Sequence, residues 1–85
     1  MILQFTSDAW KDFEWFMDND RKTAKRIRTI LKDILRHPKE GIGKPEPLGY
    51  ELSGCWSRRI NQEHRLVYRI EPEAIQVISC RYHYR

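Results

Sequence analysis

Behind Thr6, Ser7 and Asp8, which offer a helix cap, Ala9, Trp10, Phe13, Phe16 and Met17 recur at three- and four-residue spacing. This predicts a helix over about residues 7–18. Asp18-Asn19-Asp20 interrupts it, and a second stripe runs through Ala24, Ile27, Ile30, Leu31, Ile34 and Leu35 before stopping at His37-Pro38. That stripe predicts a helix over about 21–36. Ile2 to Phe5 reads as a short strand ahead of both. Residues 38–49 hold three Pro and three Gly, too many for a helix or a central strand, and predict a loop. Within it, Pro45 and Pro47 hold Glu46 in an extended, low-entropy stretch. Beyond the loop the period shortens to two. Tyr50 to Leu52, Trp56 to Ile60, Arg65 to Ile70 and Ala74 to Tyr82 are rich in β-formers and predict four more strands joined by short turns.

The order β-α-α-β-β-β-β predicts an α+β fold, two helices packed on one face of a twisted, mainly antiparallel sheet. Alternate residues of the last three strands would then line the other face, and several of them are Arg, Tyr or His. Regular pairing of 65–70 with 75–80 puts Arg65 and His83 on opposite faces, so bringing them together requires a bulge or a bent final strand. Eighty-five residues make one small domain, 1–85, with about 64% of its unfolded surface buried. No apolar run exceeds three residues, which excludes a membrane span and leaves the cytoplasm as the expected location. Cys55 and Cys80 lack metal-ligand spacing and read as reduced packing residues.

Charge changes the picture more than composition does. The net +4 divides into −4 over residues 1–20, +7 over 21–39, −1 over 40–64 and +2 over 65–85. The basic block lies on the second helix, where Lys22, Lys25, Arg26, Arg28, Lys32 and Arg36 share its polar face. Such clustering favours an anionic partner such as nucleic acid, although a solvated basic face has the same composition. The C-terminal half adds Glu46, Glu63, His64, Arg58, Arg59, Arg65, Arg81, Tyr82, His83 and Tyr84. No metal cluster and no nucleophile elbow is visible among these residues, and no cofactor is expected. Glu, His and Arg are instead the types that metal-free phosphodiester cleavage needs: a base for the 2′-hydroxyl, an acid for the leaving 5′-oxygen and cations for the phosphate. Each has a plainer reading, with His64 a surface or capping residue and Arg58-Arg59 a charge pair on a sheet edge.

GIGKPEPL (41–48), LSGCWSRRI (52–60), EHRLVY (63–68) and CRYHY (80–84) closely resemble the Txe/YoeB toxins of bacterial toxin–antitoxin systems, in the RelE superfamily. The resemblance spans essentially the whole chain. It implies a fold like that of the microbial ribonucleases and a toxin that cleaves mRNA in the ribosomal A site. Its products would be a 2′,3′-cyclic phosphate end and a 5′-hydroxyl end. By position, Glu46 matches the general base, His83 the general acid, Arg65 the phosphate-stabilising Arg and Tyr84 a Tyr that orients the substrate. Arg59 matches a further cation of the site, and Arg58, Lys44, Arg81, Lys25, Arg28 and Lys32 are expected to contact RNA or the ribosome. A YefM-like antitoxin is the implied partner, and a homodimer is compatible with the resemblance. Gly49-Tyr50 stands where the family often has a basic residue, and Arg85 extends beyond the usual RYHY ending. The alternative is a RelE-like module that binds RNA or protein without cleaving.

Overall fold

The computed structural model describes residues 1–82. Strand β1 (Ile2–Phe5) leads into α1 (Ser7–Asn19) and α2 (Arg21–Arg36). Then come β2 (Glu46–Pro47), a 3-10 turn (Tyr50–Leu52), β3 (Cys55–Arg59), β4 (Arg65–Glu71) and β5 (Ala74–Ser79). The sheet order is β1-β5-β4-β3-β2, antiparallel except for the parallel pair β1 and β5.

Capping sets both helices. The Thr6 hydroxyl accepts from the Ala9 N–H at 3.1 Å. Asp20 does double duty: its N–H closes α1 on the Phe16 carbonyl, and its carboxylate accepts from the Thr23 N–H at 3.1 Å and the Thr23 hydroxyl at 2.6 Å. The Thr23 hydroxyl bond holds the Asp20 carboxyl below its ordinary value. One residue thus serves as the whole joint between the helices.

Phe13 and Phe16 of α1 and Ile27, Ile30, Leu31 and Ile34 of α2 pack on Leu66, Tyr68, Ile75 and Val77 of the sheet. Both cysteines are buried and unbridged, as expected of packing residues.

Two local readings change. Tyr50–Leu52 is a 3-10 turn and no strand, because it lies inside the reversal between antiparallel β2 and β3, where Tyr50 takes a φ of 55° and its side chain is fully exposed. The expected proline-rich loop instead supplies the strand, since Glu46 and Pro47 pair with Ser57 and Trp56 at the edge of the sheet. An edge position leaves the missing Pro N–H without cost to the ladder.

The expected final strand stops at Ser79, short of Tyr82. Its register against β4 slips at Ile78: Tyr68 faces Val77, but Val67 faces Ser79. A bulge in this strand pair is one of the two expected departures from regular pairing; His83 itself lies outside the described residues. The Thr6 hydroxyl donates to the Ile78 carbonyl at 3.1 Å, so the helix cap also satisfies the residue the bulge leaves outside the ladder.

Replacing the fully buried Ile30 by Ala should lower stability by about 2–5 kcal/mol, because the crowded helix-sheet layer cannot collapse into the space. Urea unfolding with an unchanged m-value checks this, and a loss below about 1 kcal/mol would show a looser core.

Candidate active site

The register puts one cluster together. Side chains alternate along each strand, and Trp56, Arg58, Leu66 and Tyr68 point to the helices. Ser57, Arg59, Arg65, Val67 and Ser79 therefore share the opposite face. Glu46 joins them by pairing with Ser57. Arg59 lies directly opposite Arg65 and diagonal to Glu46, at a typical spacing of about 7–8 Å. Buried Ser57, Val67 and Ser79 form a floor of small residues beside these three charged ones. Two guanidiniums held opposite each other on neighbouring strands repel, which suits an anion bound between them.

Arg65 is gripped from one side. Its Nη1 donates to the Asn61 carbonyl at 2.7 Å and the His64 carbonyl at 3.0 Å, and Nε and Nη2 take no part in this grip. Lys44, exposed in the loop before Glu46, approaches the same end of β3, where the Arg59 N–H donates to the Gly43 carbonyl at 2.6 Å. Gly43 permits that contact: its φ is 79°, and a Cβ there would sit 2.9 Å from the Arg59 carbonyl oxygen.

Arg58 does not line this face, contrary to expectation. It is 0% exposed, and all five of its N–H groups are used. Nε donates to the Tyr68 hydroxyl at 3.2 Å. Nη1 donates to Asp33 at 2.5 Å and the Ile42 carbonyl at 3.1 Å, and Nη2 to the carbonyls of His37 at 2.5 Å and Glu40 at 2.8 Å. Its role is to hold the 37–43 loop against the core. The Arg58 hydrogen bond keeps the Asp33 carboxyl below its ordinary 3.8, assisted by the Ile42 N–H. Burial pushes the Tyr68 hydroxyl above its ordinary 10.0. Asp33 was legible as the lone acid among eight bases in residues 21–39.

The cations of α2 stand apart from the cluster. Lys25, Arg28 and Lys32 are exposed on the helix layer, on the far side of the sheet from Glu46 and Arg65. Arg28 and Lys32 instead rim an apolar groove floored by Leu3, Phe5, Phe13 and Leu31.

Beyond Ser79 the regular ladder ends, and the backbone is held by side chains and by one bond from the Arg65 N–H to the Tyr82 carbonyl. The Cys80 N–H donates to buried Asp12 at 3.1 Å. Arg81, expected to reach RNA, stacks its guanidinium on α1, 3.7 Å from the Trp15 ring centre and 4.8 Å from that of Tyr82. His64, expected at the surface, is buried against Phe16. Asp12 was legible in the sequence, standing three residues after Ala9 and four before Phe16 on the apolar face. Nothing local marks Trp15, whereas His64 shares the inward parity of Leu66 and Tyr68. His83 and Tyr84 lie outside the described residues.

The family profile of the YoeB-like toxin of bacterial type II toxin-antitoxin system matches residues 5–84. This chain belongs to the YoeB toxin family. Toxin YoeB of Synechocystis sp. is 55% identical over 85 residues, covering 100% of this chain and 99% of its own. The YoeB/ParE toxin from Agrobacterium tumefaciens superposes with a TM-score of 0.96 at 41% identity, over 99% of this chain and 100% of its own. Staphylococcus aureus YoeB is similar both in a heterotetrameric YoeB-YefM complex and as a dimer, with TM-scores of 0.91 and 0.92, each at 47% identity over 99% of this chain and 98% of its own. The YoeB assignment agrees with the resemblance read from the four sequence motifs and with the expected α+β class.

In this YoeB-family chain, replacing Arg58 by Met should cost about 3–5 kcal/mol, because it leaves a carboxylate and three carbonyls without their donor. Arg59→Met should stay within about 0.5 kcal/mol. Guanidinium unfolding of both variants tests the division, and equal losses would refute it. Asp33 has a depressed carboxyl, so its contribution is complete above the unfolded value of 3.8 and is lost as pH falls through the lower folded one. Between about pH 5 and pH 1, stability should fall less steeply for Asp33→Asn than for the native chain.

Proposed function

We propose that the chain is a ribosome-dependent endoribonuclease that cleaves mRNA in the A site by metal-free acid-base chemistry. The observation that supports this best is the placement of Glu46, Arg59 and Arg65 on one face of the sheet, in one register block. Glu46 takes the proton from the 2′-hydroxyl, whose oxygen attacks the adjacent phosphorus. Arg65 and Arg59 offset the charge growing on the phosphate oxygens. His83 gives its proton to the departing 5′-oxygen, and Tyr84 orients the substrate. One strand is left with a 2′,3′-cyclic phosphate and the other with a 5′-hydroxyl.

In this reading Lys44 serves the RNA backbone beside the site. Lys25, Arg28 and Lys32 contact ribosomal RNA from the helix layer, a second surface distinct from the reacting face. A YefM-like antitoxin silences the site, as the YoeB-YefM complexes of the relatives suggest, and the free toxin pairs as a homodimer. The cytoplasm, where translating ribosomes are found, is its place of action.

Primer extension on an mRNA translated in a purified system, with and without the protein, tests the reaction. At saturating ribosomes, single-turnover cleavage should fall by about 10²–10⁴ in His83→Gln, with ribosome affinity barely changed. Arg65→Ala should lose at least as much, because its charge acts mainly in the transition state. Near-native rates in both variants would favour the non-cleaving module. Cleavage should also survive EDTA at levels that leave ribosomes intact, and activity dependent on added Zn²⁺ or Mn²⁺ would overturn the acid-base reading. Binding should weaken as salt rises, and less steeply once Lys25, Arg28 and Lys32 are neutralised; an unchanged slope would remove α2 from the ribosome contact.

A further inference from the structure

His64 closes the turn between β3 and β4, where the Asn61 side-chain oxygen accepts from the N–H groups of Glu63 at 2.9 Å and His64 at 2.8 Å. Its ring is buried edge-on against fully buried Phe16, with centroids 4.9 Å apart and planes at 80°. The ring's Nδ1 accepts from the Tyr82 N–H at 2.7 Å. A nitrogen that accepts holds no proton, so the ring proton sits on Nε2, which faces the Glu63 carboxylate at 3.6 Å. On the other side of the same residue, the Arg65 N–H donates to the Tyr82 carbonyl at 2.9 Å. His64 and Arg65, adjacent in sequence, therefore grip both polar backbone groups of Tyr82. The His64 carbonyl also takes the Arg65 Nη1.

We propose that His64 is a positioning residue for RNA cleavage, its Nδ1 tying the segment that carries His83 to the turn that holds the Arg65 guanidinium. The inference rests on the endoribonuclease reading above. His83 follows Tyr82 by one peptide bond, and a misplacement of about 1 Å in such a group can cost around 10²-fold in rate. The backbone bond from Arg65 holds the Tyr82 carbonyl, but β5 ends at Ser79, three residues earlier, so the Tyr82 N–H is left to His64. His64 acts through its neighbours, touching the Arg65 guanidinium with its carbonyl and the Tyr82 backbone with its ring.

Two substitutions separate the acceptor from the packing. His64→Phe keeps a ring against Phe16 and removes the acceptor. His64→Asn loses the ring but can offer its side-chain oxygen near the position of Nδ1. In single-turnover cleavage at saturating ribosomes, His64→Phe should be about 10- to 100-fold slower than the native chain, with ribosome affinity within about twofold. His64→Asn should recover to within about fivefold of the native rate although it melts at a lower temperature than His64→Phe. That inversion is the signature, since a purely structural role would make rate follow stability. Rates ordered as the melting temperatures would overturn the proposal. Exchange of the Tyr82 amide supplies a readout independent of cleavage: slow in the native chain and His64→Asn, fast in His64→Phe. Equal exchange in all three refutes the tie. A native chain that does not cleave on ribosomes removes the endoribonuclease reading, and the amide exchange still decides whether His64 holds the segment.

Discussion

A guanidinium buried with no water around it must find a partner for every N–H or destabilise the fold by several kcal/mol. Arg58 finds all of its partners, and they come from places the chain would not otherwise join: α2 through Asp33, β4 through Tyr68, and three carbonyls of the loop between them. A loop with no regular structure is thereby pinned at residues 37, 40 and 42. Gly41 is pressed so close to Asp33 that a Cβ would stand 2.0 Å from the carboxylate oxygen. From that anchored loop the chain can only leave alongside β3, and Glu46 arrives opposite Ser57. The position of a surface carboxylate is thus set by a buried cation twelve residues further along the chain.

The other side of the site depends on the bulge at Ile78. Side chains of a regular β5 would keep their alternation past Val77. The extra residue turns Ser79 toward Val67 and lets Cys80 enter the core. Three side-chain contacts, together with the backbone bond from Arg65 to the Tyr82 carbonyl, then carry the chain onward: Asp12 at residue 80, Trp15 at 81 and His64 at 82. Two come from α1 and one from the β3–β4 turn, so the last described residues are referenced to the helix layer and to Arg65 together.

Both helices were legible in the sequence because their stripes are long and their caps lie at the ends of the periodicity. The strands β3 and β4 were legible from alternation. Pro47 hid β2, since a two-residue edge strand has no periodicity to read, and Tyr50 to Leu52 carried β-forming residues into a chain reversal. The Arg58-Arg59 doublet illustrates a signal that was present and unread. Trp56 and Ile60 share the parity of Arg58, so alternation alone turns Arg58 inward and Arg59 outward. His64 carried the same sign, sharing the parity of Leu66 and Tyr68, while its partners Phe16 and Tyr82 are distant in sequence. The candidate site residues and their motifs were visible; the support beneath them arises from contacts between distant parts of the chain.

The parallel pairing of β1 with β5 has a consequence for how the molecule comes into being. Ile2 faces Ala74 and Phe5 faces Val77, so the first strand to be synthesised waits for the last. Such long-range closure is entropically costly and slows folding relative to local hairpins. A nascent chain that still lacks residues 74–85 can form both helices and the β3–β4 hairpin, but β1 has no neighbour and the Ile78 carbonyl that Thr6 would bond does not yet exist. The sheet face that carries Arg65 and Val67 gains Ser79 only once β5 is in place. Until β5 has joined, β1 and the adjoining edge of β4 stay unpaired, an interval in which the chain is only partly folded.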